Sequence, residues 1–172
     1  MMTLDDAWKW YSTTRSQLRL LGRLGGKYWD KLPWPGLLEK DDRFKNLDSQ
    51  VVVAESDFGQ DHLDDFAVLI LFSVFESIVR GNVLTDVKEE RGRLSHALVT
   101  RIVDEAIRNI EEGSFFRVLE SFKNQDADLV EEVNQVRRYR NWVAHGRRTT
   151  QPDTVSPSMA YDRLKRFLDL LT

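Results

Sequence analysis

Apolar residues recur at three- and four-residue spacing along most of this 172-residue chain. Leu4, Trp8, Tyr11, Leu18, Leu21 and Leu24 predict a first helix, with Gly25-Gly26 as its stop. KYWDKLPWPG, residues 27–36, reads as an aromatic, proline-bearing connector. Between Leu37 and Asp57 the pattern is mixed; a short helix to Leu47 and a small extended piece at Val51-Val52-Val53 fit it. Asp61 reads as an N-cap, with Asp64 three residues on, for a helix that carries DDFAVLILFSVFESIVRG, residues 64–81. That helix is apolar nearly all round from Phe66 to Phe75, so it must bury several sides. Leu94, Leu98, Ile102, Val103, Ala106, Ile107 and Ile110 mark a one-faced helix that Gly113 ends. A short helix is expected over Phe115–Phe122. Asp126 or Asp128 caps the next, which runs from Leu129 toward His145 and stops at Gly146. After the polar loop RRTTQPDTVS, Ser156 and Pro157 read as N-cap and first residue of the last helix.

Glycine and proline are scarce, at 9 and 4 residues, and the prolines lie only at positions 33, 35, 152 and 157. The expected fold is therefore all-α: an up-and-down bundle of four or five main helices in one domain, 1–172. Residues 60–172 form its core, and residues 1–59 supply an N-terminal helix and connector.

The charge changes the picture little: 25 basic against 28 acidic residues leave a net −3. A nucleic-acid partner would need a local basic patch. There is no cysteine, which removes disulfides, thiolate metal sites and cysteine nucleophiles from consideration. MMTLDDAWKW has neither a basic nor an apolar leader segment, and Phe66–Phe75 is far shorter than the ~20 residues of a membrane span. The expectation is a soluble, cytoplasmic protein with no membrane partner.

Candidate chemistry concentrates in VRRYRNWVAHGRR, residues 136–148. Arg137, Arg138, Arg140, Arg147 and Arg148, with His145, gather positive charge in an acidic chain, and guanidinium forks suit phosphate. A basic run is ordinarily a solvated helix face. At ~100° per residue, however, Leu129, Val133, Val136, Arg140 and Val143 share one stripe. Arg140 thus stands where the pattern asks for an apolar residue, and a charge there is costly unless paired or in a solvated cleft. His145 sits at the helix end before Gly146, a position suited to proton transfer near neutral pH.

The run Arg140-Asn141-Trp142-Val143-Ala144-His145-Gly146 resembles the signature of the HEPN superfamily: an arginine, commonly followed by a polar residue, then histidine after four to six residues. By spacing alone Arg138 also fits. The apolar helix with its acid, Glu76, resembles a core helix many such domains carry before the signature. The nearest likeness is to the short bacterial RiboL-PSP-type ribonucleases, over about residues 60–172. The resemblance implies a homodimeric, metal-independent endoribonuclease without cofactor, of the kind used in toxin–antitoxin and antiviral systems, with an antitoxin protein as partner. It makes Arg140, His145 and Asn141 catalytic, Glu76 supporting, and Arg137, Arg138, Arg147 and Arg148 RNA-binding. Some family toxins place a tyrosine two residues after the histidine, where an antitoxin modifies them; Arg147 occupies that position here.

Other candidates are weaker. His62 and His96 lack the i+3 or i+4 partner of a metal site. Trp29 and Trp34 suit base stacking, but a Trp-Pro connector more often closes a core. Glu76 has two readings: an i,i+4 salt bridge with Arg80, or a carboxylate holding Arg140 across the helix pair. In an unbroken helix residues five apart diverge by about 140°. Arg140 and His145 then meet only if the helix unwinds early or if each comes from a different protomer. The alternatives to a nuclease are a non-catalytic helical module that binds RNA, a nucleotide or an acidic protein, and a purely structural dimer.

Overall fold

The computed structural model describes residues 2–32 and 47–171. It contains α1 (Leu4–Tyr28), α2 (Ser49–Arg93), α3 (Ala97–Glu112), α4 (Phe115–Glu120), α5 (Ala127–Ala144) and α6 (Pro157–Asp169), with a 3-10 turn at Trp29–Lys31. No strand occurs among the described residues, and the fold is an all-α helical bundle. Trp34 and the short helix expected before Leu47 lie outside the described residues. Two compact units emerge: Met1–Ala7 with Val68–Thr172, and Trp8–Ala67.

In the unit Trp8–Ala67, Gly25 and Gly26 do not end α1, which continues to Tyr28. Gly22 and Gly25 serve close approach instead. A Cβ on Gly22 would stand 2.9 Å from the Ser56 hydroxyl, and one on Gly25 would stand 2.9 Å from a Val52 methyl. Ser56 also donates to the Leu18 carbonyl at 2.6 Å. The expected extended piece at Val51–Val53 is helical, because α2 begins at Ser49 rather than near Asp61. Asp48 caps it: its carboxylate accepts from the Gln50 N–H at 2.7 Å. Trp29 is buried, and its indole donates to the Leu47 carbonyl at 2.8 Å, so it closes a core. Tyr11 packs with Leu63 and Ala67, donates to Asp64 at 2.8 Å and accepts from Arg15 at 2.8 Å. Burial and the Asp64 carboxylate push the Tyr11 hydroxyl up to about 12.

The other unit is built on one face of the apolar stretch of α2; burial on several sides, expected from the sequence, is not met, since Ser73 and Ser77 are exposed. Val68, Leu71, Phe72, Phe75 and Val79 are essentially inaccessible to solvent. By length and composition alone α2 is apolar enough to cross a membrane. Phe115 of α4 meets Phe72 and Phe75 edge-on, with centroids 5.8 and 5.9 Å apart. Phe167 of α6 meets Phe75 at 5.4 Å and Phe122 at 5.3 Å. Leu129, Val130, Val133 and Val136 of α5 complete this core. Gly81 does not stop α2, which runs on to Arg93 and is tied to α3 by Arg91–Asp104 and Lys88–Glu111 ion pairs. Asp5 of the first helical turn accepts from Tyr161 at 2.6 Å and Lys165 at 2.9 Å on α6.

Two outcomes follow from the small residues and the buried phenol. Gly26→Ala meets only ordinary contact, 3.7 Å from Val53, and should stabilise by roughly 0.5–1 kcal/mol through helix propensity. Gly25→Ala must displace the stiff Val52 and should lose that gain or reverse it. Urea titration of the pair decides; equal gains would contradict the close approach. Tyr11 stays neutral in the folded state above the pH at which the unfolded phenol ionises, near 10.0. Its contribution is therefore complete below that pH and lost as pH rises toward about 12. Tyr11→Phe should flatten stability against pH across this window, measured by denaturation at several alkaline pH values.

Candidate functional site

The motif helix α5 is fixed at both ends. Asp126, one of the two expected caps, accepts from the Leu129 N–H at 2.9 Å. At the other end the Gly146 N–H bonds the Val143 carbonyl at 3.0 Å and the Arg147 N–H bonds the Trp142 carbonyl at 2.9 Å. These two bonds make a Schellman cap, with Gly146 at φ +70 as the left-handed residue. The contact that usually locks such a cap is apolar; here the Arg147 guanidinium lies over the Trp142 ring, 5.2 Å from its centroid. Arg147 itself sits at φ +58, a conformation that a non-glycine residue adopts at a cost of about 1–3 kcal/mol.

Arg140 stands on the buried stripe, as the spacing predicts. Its guanidinium lies over the Phe72 ring, 5.6 Å from the centroid, and donates to Asn141 Oδ1 at 3.0 Å. Its Nε is buried without a partner. It does not pair with Glu76. Glu76 instead takes the helix salt bridge to Arg80, at 2.8 Å. The reason lies on α3: Arg80, one turn from Glu76, also donates to the carbonyls of Ile110 and Gly113 and satisfies the end of that helix. Phe72, Glu76, Ser114, Phe116, Arg137, Arg140 and Asn141 line a small cavity of about 140 Å3 together with Phe115. Arg137 lies over Phe116 at 5.0 Å and donates to the buried Asn134 at 3.0 Å. Burial first, then the neighbouring Arg138 charge, lowers its proton affinity below that of a free guanidinium. Neither Arg137 nor Arg140 forms an ion pair among the described residues.

His145 belongs to a different cavity. It is exposed at the C-cap of α5, and its N–H still bonds the Asn141 carbonyl at 2.9 Å, so the helix does not unwind before it. The cleft beside it, of roughly 600 Å3, is lined by Arg138, Asn141, Trp142, His145, Arg148 and the loop Thr149, Thr150 and Pro152. Arg138 is partly neutralised by Glu131 at 2.6 Å, while Arg148 is exposed. Asn141 alone lines both cavities. Within one chain, the structure brings Arg140 together with Asn141, Arg137 and Glu76, and His145 together with Asn141, Arg138 and Arg148; it does not bring Arg140 to His145.

Sequence reasoning passed over Ser114, Thr149 and Thr150, because loop residues carry no periodicity, and Phe116, because the short helix α4 offers too few turns to show which side faces the cavity. Trp142 was legible: it lies inside the motif, and its indole donates to the Thr149 carbonyl at 3.0 Å, which folds the loop back over the cleft. His62 and His96 are exposed; the His62 ring bonds the Phe58 carbonyl at 2.9 Å, and His96 holds the N-cap position of α3 without a side-chain capping bond. Among the described residues no three of His, Asp and Glu converge on one point.

The cap supports a direct test. A Cβ on Gly146 meets nothing, so Gly146→Ala isolates the backbone cost and should destabilise by about 1 kcal/mol, with Gly146→Asn costing less. Chemical denaturation checks it; equal losses for the two would contradict a left-handed cap.

Comparison with family models, with curated proteins and with solved structures finds no match to this chain. The resemblance of Arg140–Gly146 to the HEPN signature therefore stands on those residues alone.

Proposed function

We propose that this protein is a metal-independent endoribonuclease acting as a homodimer in the cytoplasm. The observation that carries the reading is the cavity around Arg140: two partly buried guanidiniums with no acid partner among the described residues, beside Asn141 and the Ser114 hydroxyl. Cations held this way cost stability and suit a phosphate that supplies the missing charge. In the proposed reaction the ribose 2′-hydroxyl attacks the adjacent phosphorus. His145 takes the hydroxyl proton, the new 2′-O–P bond forms and the P–O5′ bond breaks. The His145 imidazolium then returns that proton to the departing 5′-oxygen, giving a 2′,3′-cyclic phosphate and a 5′-hydroxyl. Arg140 stabilises the charge on the phosphorane, and preorganised cations contribute most where charge develops. Because Arg140 and His145 face separate cavities in one chain, the reading pairs one protomer's Arg140 with its partner's His145. Asn141 orients either side, and Arg138 and Arg148 contact the RNA backbone. As a toxin or antiviral effector it would be held in check by an antitoxin protein.

The separation of Arg140 from His145 within one chain favours a second reading, in which the cavity only docks RNA or a nucleotide. Incubating labelled RNA with the purified protein in EDTA tells them apart. Cleavage is expected, with His145→Ala slowing it ~10²–10⁴-fold at unchanged stability, since the ring is exposed. Arg140→Met should abolish cleavage while leaving stability equal or higher. It removes a buried, unpartnered Nε worth about 1–3 kcal/mol of desolvation and orphans no acid, Glu76 being held by Arg80. Retained activity in His145→Ala would overturn the site. RNA binding by a well-folded but inactive protein would leave the docking module.

A further inference from the structure

Along α1 the basic residues keep one interval: Arg15, Arg19, Arg23 and Lys27 follow each other every four residues. Arg15 is paired with Asp64 at 3.2 Å. Arg19, Arg23 and Lys27 are exposed, and none meets an acid partner among the described residues. A four-residue interval sets them on one inclined ridge, with about 6 Å of helix rise between neighbours. The ridge borders a groove of roughly 390 Å3 between α1 and the first turns of α2, wholly within the unit Trp8–Ala67. Gly22 and Gly26 lie on the α1 side of it, and having no side chains they keep the groove open beside the cations.

The far wall is of a different kind. There Val53, Asp57 and Gln60 of α2 offer an apolar surface, a carboxylate that accepts and an amide that can do both. Such groups match base edges and sugar hydroxyls, and Asp57 repels a second row of phosphates. The groove thus has one wall for phosphates and one for bases. A duplex turns its bases inward and would leave the second wall unused. A bilayer is too flat to enter a groove between two helices and would bring phosphates to both walls. An extended single strand carries phosphates on one side and bases on the other, and its phosphates repeat at an interval close to the rise between these cations.

We propose that this groove binds single-stranded nucleic acid, with Arg19, Arg23 and Lys27 on successive phosphates and the bases turned toward Val53, Asp57 and Gln60. The groove shares no residue with the two cavities of the motif helix, so it stands or falls apart from cleavage by Arg140 and His145.

Fluorescence anisotropy of a labelled 2′-O-methyl oligouridylate of about twelve nucleotides, at several salt concentrations, tests it. That probe keeps every phosphate and base but lacks the 2′-hydroxyl nucleophile, so cleavage does not enter the measurement. Replacing the three cations together, by Arg19→Gln, Arg23→Gln and Lys27→Gln, should weaken binding about tenfold or more. It should also lower the slope of log affinity against log salt by about 2, at ~0.7 per phosphate. All three side chains are exposed, so helical circular dichroism should not change. Gly26→Met tests the groove without touching a charge. A Cβ there meets only Val53, at 3.7 Å, so the helix accepts the longer side chain. By filling the groove it should weaken binding about tenfold. Wild type that fails to bind the probe at roughly 100 micromolar in low salt overturns the proposal. So does binding that falls in Arg148→Ala but not in the triple variant, or a Gly26→Met protein that binds as wild type does. Inorganic polyphosphate that displaces the probe as well as unlabelled oligouridylate does would leave the base wall without a part and overturn it. Co-sedimentation with phosphatidylcholine–phosphatidylglycerol vesicles, lost in the triple variant and found without binding of the probe, would assign the ridge to a membrane and overturn it as well.

Discussion

The stretch of α2 from Val68 to Val79 sets the terms for everything packed around it. Its buried face, Val68, Leu71, Phe72, Phe75 and Val79, is wide and wholly apolar, while Ser73 and Ser77 on the other side are exposed, and each buried Phe is worth roughly 1.5–3 kcal/mol only if something covers it. Phe115, Phe167 and the valines of α5 do so, edge to face where rings meet. The order of short elements after Gly113 follows from this demand. Ser114 starts a six-residue helix that delivers Phe115, Val118 and Leu119 inward. Asp126 and Ser156 restart the chain as longer helices that close the rest of this face.

That packing also explains why Arg140 can exist where it does. The stripe of α5 that covers α2 runs through Leu129, Val133 and Val136, and the next place on it is taken by a cation over Phe72. A cation–π contact of this kind returns about 0.5–2 kcal/mol, while the buried, unpartnered Nε costs about 1–3. The balance is against Arg140 as a stabilising residue. An acid at hand would have reversed it, but Glu76 is engaged by Arg80, whose remaining N–H groups hold the carbonyls that end α3. One arginine is satisfied by local structure and the other is left with an unmet preference for an anion.

How far the sequence could be read depended on whether a residue's environment was local. Ser156 with Pro157, Gly113 and Gly146 act through their own backbone, and each marks its helix end where the pattern puts it. Gly22 and Gly25 use the same residue type for a tertiary purpose: Ser56 and Val52 stand across from them, and no pattern within α1 reveals this. Asp48 was overlooked as a cap because three β-branched residues follow it, and strand propensity gave way to the packing of Val52. In the site, the position of Arg140 on the apolar stripe was legible from periodicity, whereas the competition for Glu76 was not. Arg80 wins it through carbonyls thirty and thirty-three positions along the chain.

The end of α5 settles a question of geometry that the motif raises. Five residues of intact helix turn Arg140 and His145 well apart, and a helix that frayed early could have folded them together. The Schellman bonds from Gly146 and Arg147, with the guanidinium of Arg147 laid over Trp142, prevent this by holding the last turn closed. The backbone strain at Arg147 is spent on that closure, and the loop to Thr149 is drawn against the same indole. The consequence is a motif with two outward-looking halves that share only Asn141, one cationic and set into the core edge, one imidazole and set in the open. On the ribonuclease reading proposed above, each half then needs a second surface that bears the other.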